Sequence, residues 1–202
     1  MLTILREQLL NHLIQLTDVI NTYQNHDSNY AQKALKWLED TEKTLQQNRN
    51  PASSCLAISR AKIMAANDGL CDRSISNNGF TKRQIMRATV SLSLDEAEQK
   101  LSLIINDIDT KIDIWTDKMS QFLAVATANS PIPLPPTEPR SNWLNNIWNK
   151  FNISPELHGM YAYLNAAMSK TDRQYVLGNV INNLLSNSKK QPRRNSKDTN
   201  IT

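Results

Sequence analysis

The sequence predicts an all-α protein: a helical bundle containing one long helix, a proline-rich linker and a small C-terminal helical module. Three observations carry this. Glycine occurs only 4 times in 202 residues, against roughly 7% in an average chain. Tight hairpins and phosphate-binding loops need glycine at positive φ, so sandwiches, barrels and nucleotide-binding α/β folds are disfavoured. Apolar residues recur at intervals of three and four in at least seven segments, and five of the eight prolines fall in Ser130–Ser141. With 40% hydrophobic and 21% charged residues the chain has material for a core.

The first helix is read from Leu2, Leu5, Leu9, Leu13, Leu16, Ile20 and Tyr23, one apolar stripe over about 22 residues. Leu10, Ile14 and Val19 widen the stripe, as in a helix packed inside a bundle. Asn25–Asn29 is a polar break. Tyr30, Ala34, Trp37, Leu38, Thr41 and Leu45 then mark a second helix, which ends before Pro51. A third is expected over Pro51–Asn67, with proline in its first turn and Gly69 supplying a left-handed stop.

Residues 70–80 read as a loop. Thr81 caps a short helix over Lys82–Leu92, followed by a turn at VSLS. Ser93-Leu94-Asp95-Glu96 has the form of a capping box that opens a second, longer helix. In it Ala97, Leu101, Ile104, Ile108, Ile112, Trp115, Met119, Phe122 and Ala126 repeat at about 3.6 residues, the period of a straight α-helix. Its expected span is Leu94–Asn129. The prolines of Ser130–Ser141 remove amide donors and fix φ, so that segment is an extended linker. Amphipathic helices follow at Asn142–Phe151, Ser154–Ser169 and Thr171–Asn187. The expected organisation is a bundle over 1–129, a linker at 130–141, a module at 142–187 and a basic disordered tail at 188–202.

Charge locates the basic excess. Residues 1–188 carry 18 Lys/Arg and 18 Asp/Glu, so the whole net charge of +4 lies in 189–202. Lys189, Lys190, Arg193 and Arg194 in that tail attract acidic partners, weakly and with strong salt dependence. Within the body, residues 60–87 hold Arg73, Lys82, Arg83 and Arg87 among six cations and two acids. Residues 95–117 hold seven acids and two cations. These stretches either pair internally or form a polarised surface that steers a charged partner.

Catalytic patterns are missing. His12, His26 and His158 stand at no zinc-site spacing from each other or from cysteine, and no phosphate-loop, zincin or nucleophile-elbow motif occurs. Asp107-x-Asp109-x-Lys111-x-Asp113 begins like a calcium loop. It has Ile112 where the loop needs glycine and Lys118 where it needs the bidentate glutamate. Thr81–Leu101 has the outline of a helix-turn-helix, but its second helix would present Asp95, Glu96 and Glu98 to a polyanion. Cys55 and Cys71 read as two buried free thiols. No signal peptide is evident, because Arg6, Glu7, Asn11 and His12 interrupt the N-terminal apolar run, and no stretch is apolar enough to span a bilayer.

These features favour a soluble, non-enzymatic protein-interaction or adaptor protein, needing no metal or cofactor. Trp143, Trp148, Phe151, Tyr161 and Tyr163 are its candidate interface, since aromatic side chains often dominate binding energy. The alternatives are a nucleic-acid-associated component using the tail, a secreted bacterial effector or its chaperone, and an enzyme with a dispersed site.

Overall fold

The computed structural model describes residues 1–70, 79–129, 140–152 and 155–190. Among these the regular elements are all helical: α1 (Leu2–Gln24), α2 (Tyr30–Gln47), α3 (Ser53–Asn67), α4 (Lys82–Asn129), α5 (Arg140–Phe151), α6 (His158–Ala167) and α7 (Lys170–Lys190), with a 3-10 turn at Pro155–Leu157. The all-α reading, the long helix and the short C-terminal helices are as the periodicity predicts.

The chain ends its early helices with few glycines. At the end of α1 the amide of Asp27 donates to Thr22 O and that of His26 to Tyr23 O, with His26 at φ +56°. The end of α2 repeats this with Asn50 to Leu45 and Arg49 to Gln46, Arg49 lying at φ +53°. Both are Schellman closures built on a side chain other than glycine. Gly69, at φ +85°, closes α3 as the sequence predicts.

One expectation is corrected. Lys82–Leu92 and Leu94–Asn129 are not separate helices joined at VSLS; α4 runs unbroken for 48 residues, about 72 Å at about 1.5 Å per residue. Its N-terminal box is built from Thr81 and Gln84. The Gln84 amide donates to Thr81 Oγ1 (3.3 Å) and the Thr81 amide to Gln84 Oε1 (2.8 Å). Ser93 instead lies mid-helix and buried, its hydroxyl donating to Ser59 O of α3 (3.4 Å). Glu96 pairs with Lys62 rather than reaching back to Ser93 (3.1 Å). Neither glycine nor proline interrupts 82–129, and Val90, Leu94, Ala97 and Leu101 carry one buried face across the expected turn. The box residues therefore had no helix start to cap.

The chain divides into two compact units, Leu2–Thr110 and Lys111 onward with Met1. The division falls within α4, where Asp109–Lys118 contains no buried residue. The sequence reading places the bundle's end at residue 129. In the structure Met119, Phe122, Leu123 and Ala126 already share a core with α5, α6 and α7. The proline-rich stretch 130–139 lies outside the described residues. α7 runs to Lys190, and residues 191–202 of the expected tail lie outside the described residues.

In the N-terminal unit Leu9 and Leu16 of α1, Leu38 and Leu45 of α2, Leu56 and Ile63 of α3 and Leu101 of α4 are fully buried. Each such side chain contributes about 1.5–3 kcal/mol through burial. Polar links hold the helices in register: Trp37 Nε1 donates to His12 O (2.8 Å), Arg60 pairs with Glu42 (3.2 Å), and Arg6 pairs with Asp109.

His12 gives this unit a pH dependence. Its Nε2 bonds Thr44 Oγ1 (2.9 Å), and Thr44 in turn donates to Asp40 O, so Nε2 carries the hydrogen. Nδ1 is buried without a hydrogen-bond partner. Burial lowers the imidazole pKa, opposed by Asp40 and Gln15. The unfolded chain therefore binds this proton first as pH falls, and the fold loses stability from about pH 6.5 downward through the depressed folded value. Chemical denaturation between pH 7.5 and 5 is expected to show this loss, and His12→Gln to reduce its slope. An unchanged slope would show that His12 does not contribute.

Candidate functional site

The structure brings the aromatic candidates together as a core. Trp143 and Trp148 are buried, and Phe151 and Tyr161 are half-buried. Tyr161 stacks on Trp148 with ring centroids 4.7 Å apart, while Phe122 of α4 lies 5.5 Å from Trp148 and 5.2 Å edge-on from Phe151. The Arg173 guanidinium sits over the Trp148 ring at 4.9 Å and also bonds Asn165. Burial lowers the pKa of Arg173, and among the described residues no carboxylate pairs with it. These tryptophans act inside the unit. Their periodicity could not reveal this, because a helix face covered by its own chain and one covered by a partner have the same pattern.

Tyr163 is the exception. It is 45% exposed, and Lys118 Nζ both bonds its hydroxyl (2.8 Å) and lies 4.0 Å from its ring centre. Its helix, α6, carries no Lys, Arg, Asp or Glu, and this run extends over Leu157–Ser169. That run reads in the sequence as thirteen consecutive residues without Lys, Arg, Asp or Glu, with His158 its one titratable imidazole.

The charged candidates separate. Lys82 and Arg83 are exposed at the start of α4. Arg87 is occupied: its guanidinium lies 4.5 Å from the Tyr23 ring and 5.8 Å from Tyr30, donates to Tyr23 O and contacts His26 Nδ1. It therefore fastens the α1–α2 corner to α4. Arg73, Arg193 and Arg194 lie outside the described residues, as does Cys71. Lys189 and Lys190 are in the last turn of α7. Of the acidic stretch, Glu96 and Asp109 are paired within the unit, while Asp107, Asp113 and Asp117 are exposed.

A second expectation is corrected at Cys55, which is free but exposed. It lies on α3, whose outward side is apolar although the helix is on the surface. Ile58 and Met64 are each 58% exposed, and Cys55, Ser54 and Ala61 accompany them. The only charged residues of α3, Arg60 and Lys62, are drawn to Glu42 and Glu96. The sequence hid this surface because apolar residues occur all round α3. Such a helix is ordinarily covered on every side.

Two depressions lie on the N-terminal unit. One of about 240 Å³ lies between α1 and α4, with Ile20, Tyr23 and Leu94 beside Asp95 and Glu98. A broader groove between α1 and α2, about 580 Å³, is lined by Asp18, Thr22, Gln32, Lys33, Lys36 and Asp40 among others. Neither lining contains a histidine or cysteine. No three His, Cys, Asp or Glu side chains are grouped to hold a metal ion among the described residues. No described helix is long and apolar enough to cross a membrane. Comparison with protein-family models, curated proteins and solved structures finds no match to this chain.

Proposed function

We propose that this chain is a non-enzymatic helical interaction protein whose N-terminal unit receives a helix of another protein on the outer face of α3. The observation that carries this reading is the uncharged solvent face of Cys55, Ile58, Ala61 and Met64. It exists because the two cations of the helix are engaged by Glu42 and Glu96. The alanines at 57, 61 and 65 keep the surface low, which favours approach of a second helix to about 8–10 Å. Isolated exposed apolar side chains are ordinary; several together on one helix face without a charged side chain favour an interaction surface. The nucleic-acid, effector and dispersed-site enzyme readings have no observation of this kind in their favour.

A photo-cross-linking residue placed at Ile58 in the native host tests this. One discrete adduct is expected, lost when Met64→Asp is added and absent when the probe is placed at exposed Lys36. No adduct at Ile58, or the same adduct from Lys36, would contradict the reading.

A further inference from the structure

We infer that the C-terminal unit holds a binding site for a carboxylate anion, built on the guanidinium of Arg173 where α6 and α7 meet over the Trp148 ring. It lies in a different unit from the surface proposed for the protein partner, and neither claim rests on the other.

Arg173 is half-buried in the first turn of α7. Its planar group offers five N–H donors in a fixed fork. Nη1 bonds Asn165 Oδ1 of α6. Among the described residues nothing accepts a hydrogen bond from Nε or Nη2, and no carboxylate pairs with the charge. Asn165 and the Trp148 ring, 4.9 Å away, orient the guanidinium without neutralising it. Charges drawn out of water are ordinarily paired. The only two acids between 140 and 190 do not serve: Asp172 is buried and bonded by Ser169 (2.6 Å), and Glu156 forms no ion pair with Arg173. Burial lowers the pKa of Arg173, the sign of a guanidinium partly removed from water. The indole N–H of Trp148 is also buried without an acceptor. Donors therefore outnumber acceptors at this point of the unit, which selects a negatively charged acceptor as ligand.

The neighbouring groups suit a single negative charge. Tyr161, stacked on Trp148 at 4.7 Å, acts electrostatically on Arg173. Tyr161, Asn165 and the exposed His158 share one face of α6, a helix without an acid. The Nε–Nη2 edge matches the two oxygens of a carboxylate, which accept two parallel hydrogen bonds from it. A phosphate dianion would bring a second charge that Asn165 and the phenol of Tyr161, both neutral, do not balance, and it loses more hydration on entering. Lys170, exposed one turn earlier on α7, attracts either anion through water and does not select between them.

Nuclear magnetic resonance of the full chain tests the inference, read at the Arg173 Nε–H and the Trp148 indole N–H. The probes are sodium acetate and N-acetylated, C-amidated glutamate, with sodium chloride at equal ionic strength as control. Both carboxylates are expected to shift the two signals saturably, chloride to leave them unmoved, and inorganic phosphate to bind more weakly than acetate. Arg173→Lys keeps the charge but loses the fork. Read at the Trp148 signal, it is expected to weaken acetate binding by about tenfold, the loss of one charge-assisted hydrogen bond, with circular dichroism unchanged. Equal affinities for the two carboxylates identify a free small acid as the source, and tighter binding of the blocked glutamate identifies an acidic side chain of a protein; either supports the site. No saturable shift with either carboxylate, an equal shift from chloride, tighter binding of phosphate, or unchanged affinity in the folded Arg173→Lys protein would overturn the inference. The wild-type titrations need no variant, so instability of Arg173→Lys leaves the test intact.

Discussion

Trp148→Ala is expected to destabilise the C-terminal unit by about 3–5 kcal/mol, the cost of removing a fully buried indole. Trp148 is 2% exposed and is the ring on which Tyr161, Phe122 and Arg173 all converge. Its loss leaves a cavity and also removes the aromatic surface beneath a half-buried guanidinium, so the cost belongs at the upper end. Trp148→Phe is expected to cost much less. It keeps most of the volume and eliminates an indole N–H that is buried without an acceptor. Hydrogen exchange resolved by peptide should show faster opening of α5, α6 and α7 in the alanine variant. Unchanged protection there would mean that Trp148 is not part of a core.

The second large effect concerns the continuity of α4. Ser91→Pro is expected to cost about 3 kcal/mol or more, since proline removes a helical amide and its ring meets the carbonyl of Arg87 four residues earlier. Ser91 is exposed, which separates this backbone effect from any loss of packing. Ser91→Ala should change stability little. Had VSLS been a turn, proline would be accepted there at small cost. A thermal melt of the two variants distinguishes these outcomes, and near-equal melting temperatures would contradict a continuous helix.

The helices themselves were legible because their buried faces repeat at 3.6 residues and because Gly69 and Pro51 punctuate the chain. The false turn at 90–93 shows where that legibility stops. A Ser-x-x-Glu pattern looks the same at a helix start and inside a helix, where the serine bonds a neighbouring helix and the glutamate a lysine. Only the unbroken apolar face through Val90, Leu94 and Ala97 distinguishes the two cases, and at VSLS it competed with local capping chemistry.

The candidate surface was less legible than the fold. Aromatic content pointed to Trp143 and Trp148, yet these fill the inside of the unit. The exposed surfaces are poorer in aromatic residues. On α3 the deciding feature is that two cations are withdrawn by Glu42 and Glu96, partners 18 and 34 residues distant in sequence. That pairing depends on tertiary packing, and no local pattern records it. On α6 the run without Lys, Arg, Asp or Glu was visible, but its exposure depends on α6 burying only Leu164 fully.

Cys55 reports directly on whether the outer face of α3 is a contact surface. Its thiol is exposed and lies on that face, so its alkylation rate measures coverage, with mass spectrometry separating its peptide from that of Cys71. In the purified chain Cys55 should react as an open thiol. In native extract it should be protected, and Ile58→Asp should restore the rate of the purified protein. Equal Cys55 reactivity in extract and in the purified wild-type chain would mean that nothing covers α3, and the proposed function would fail.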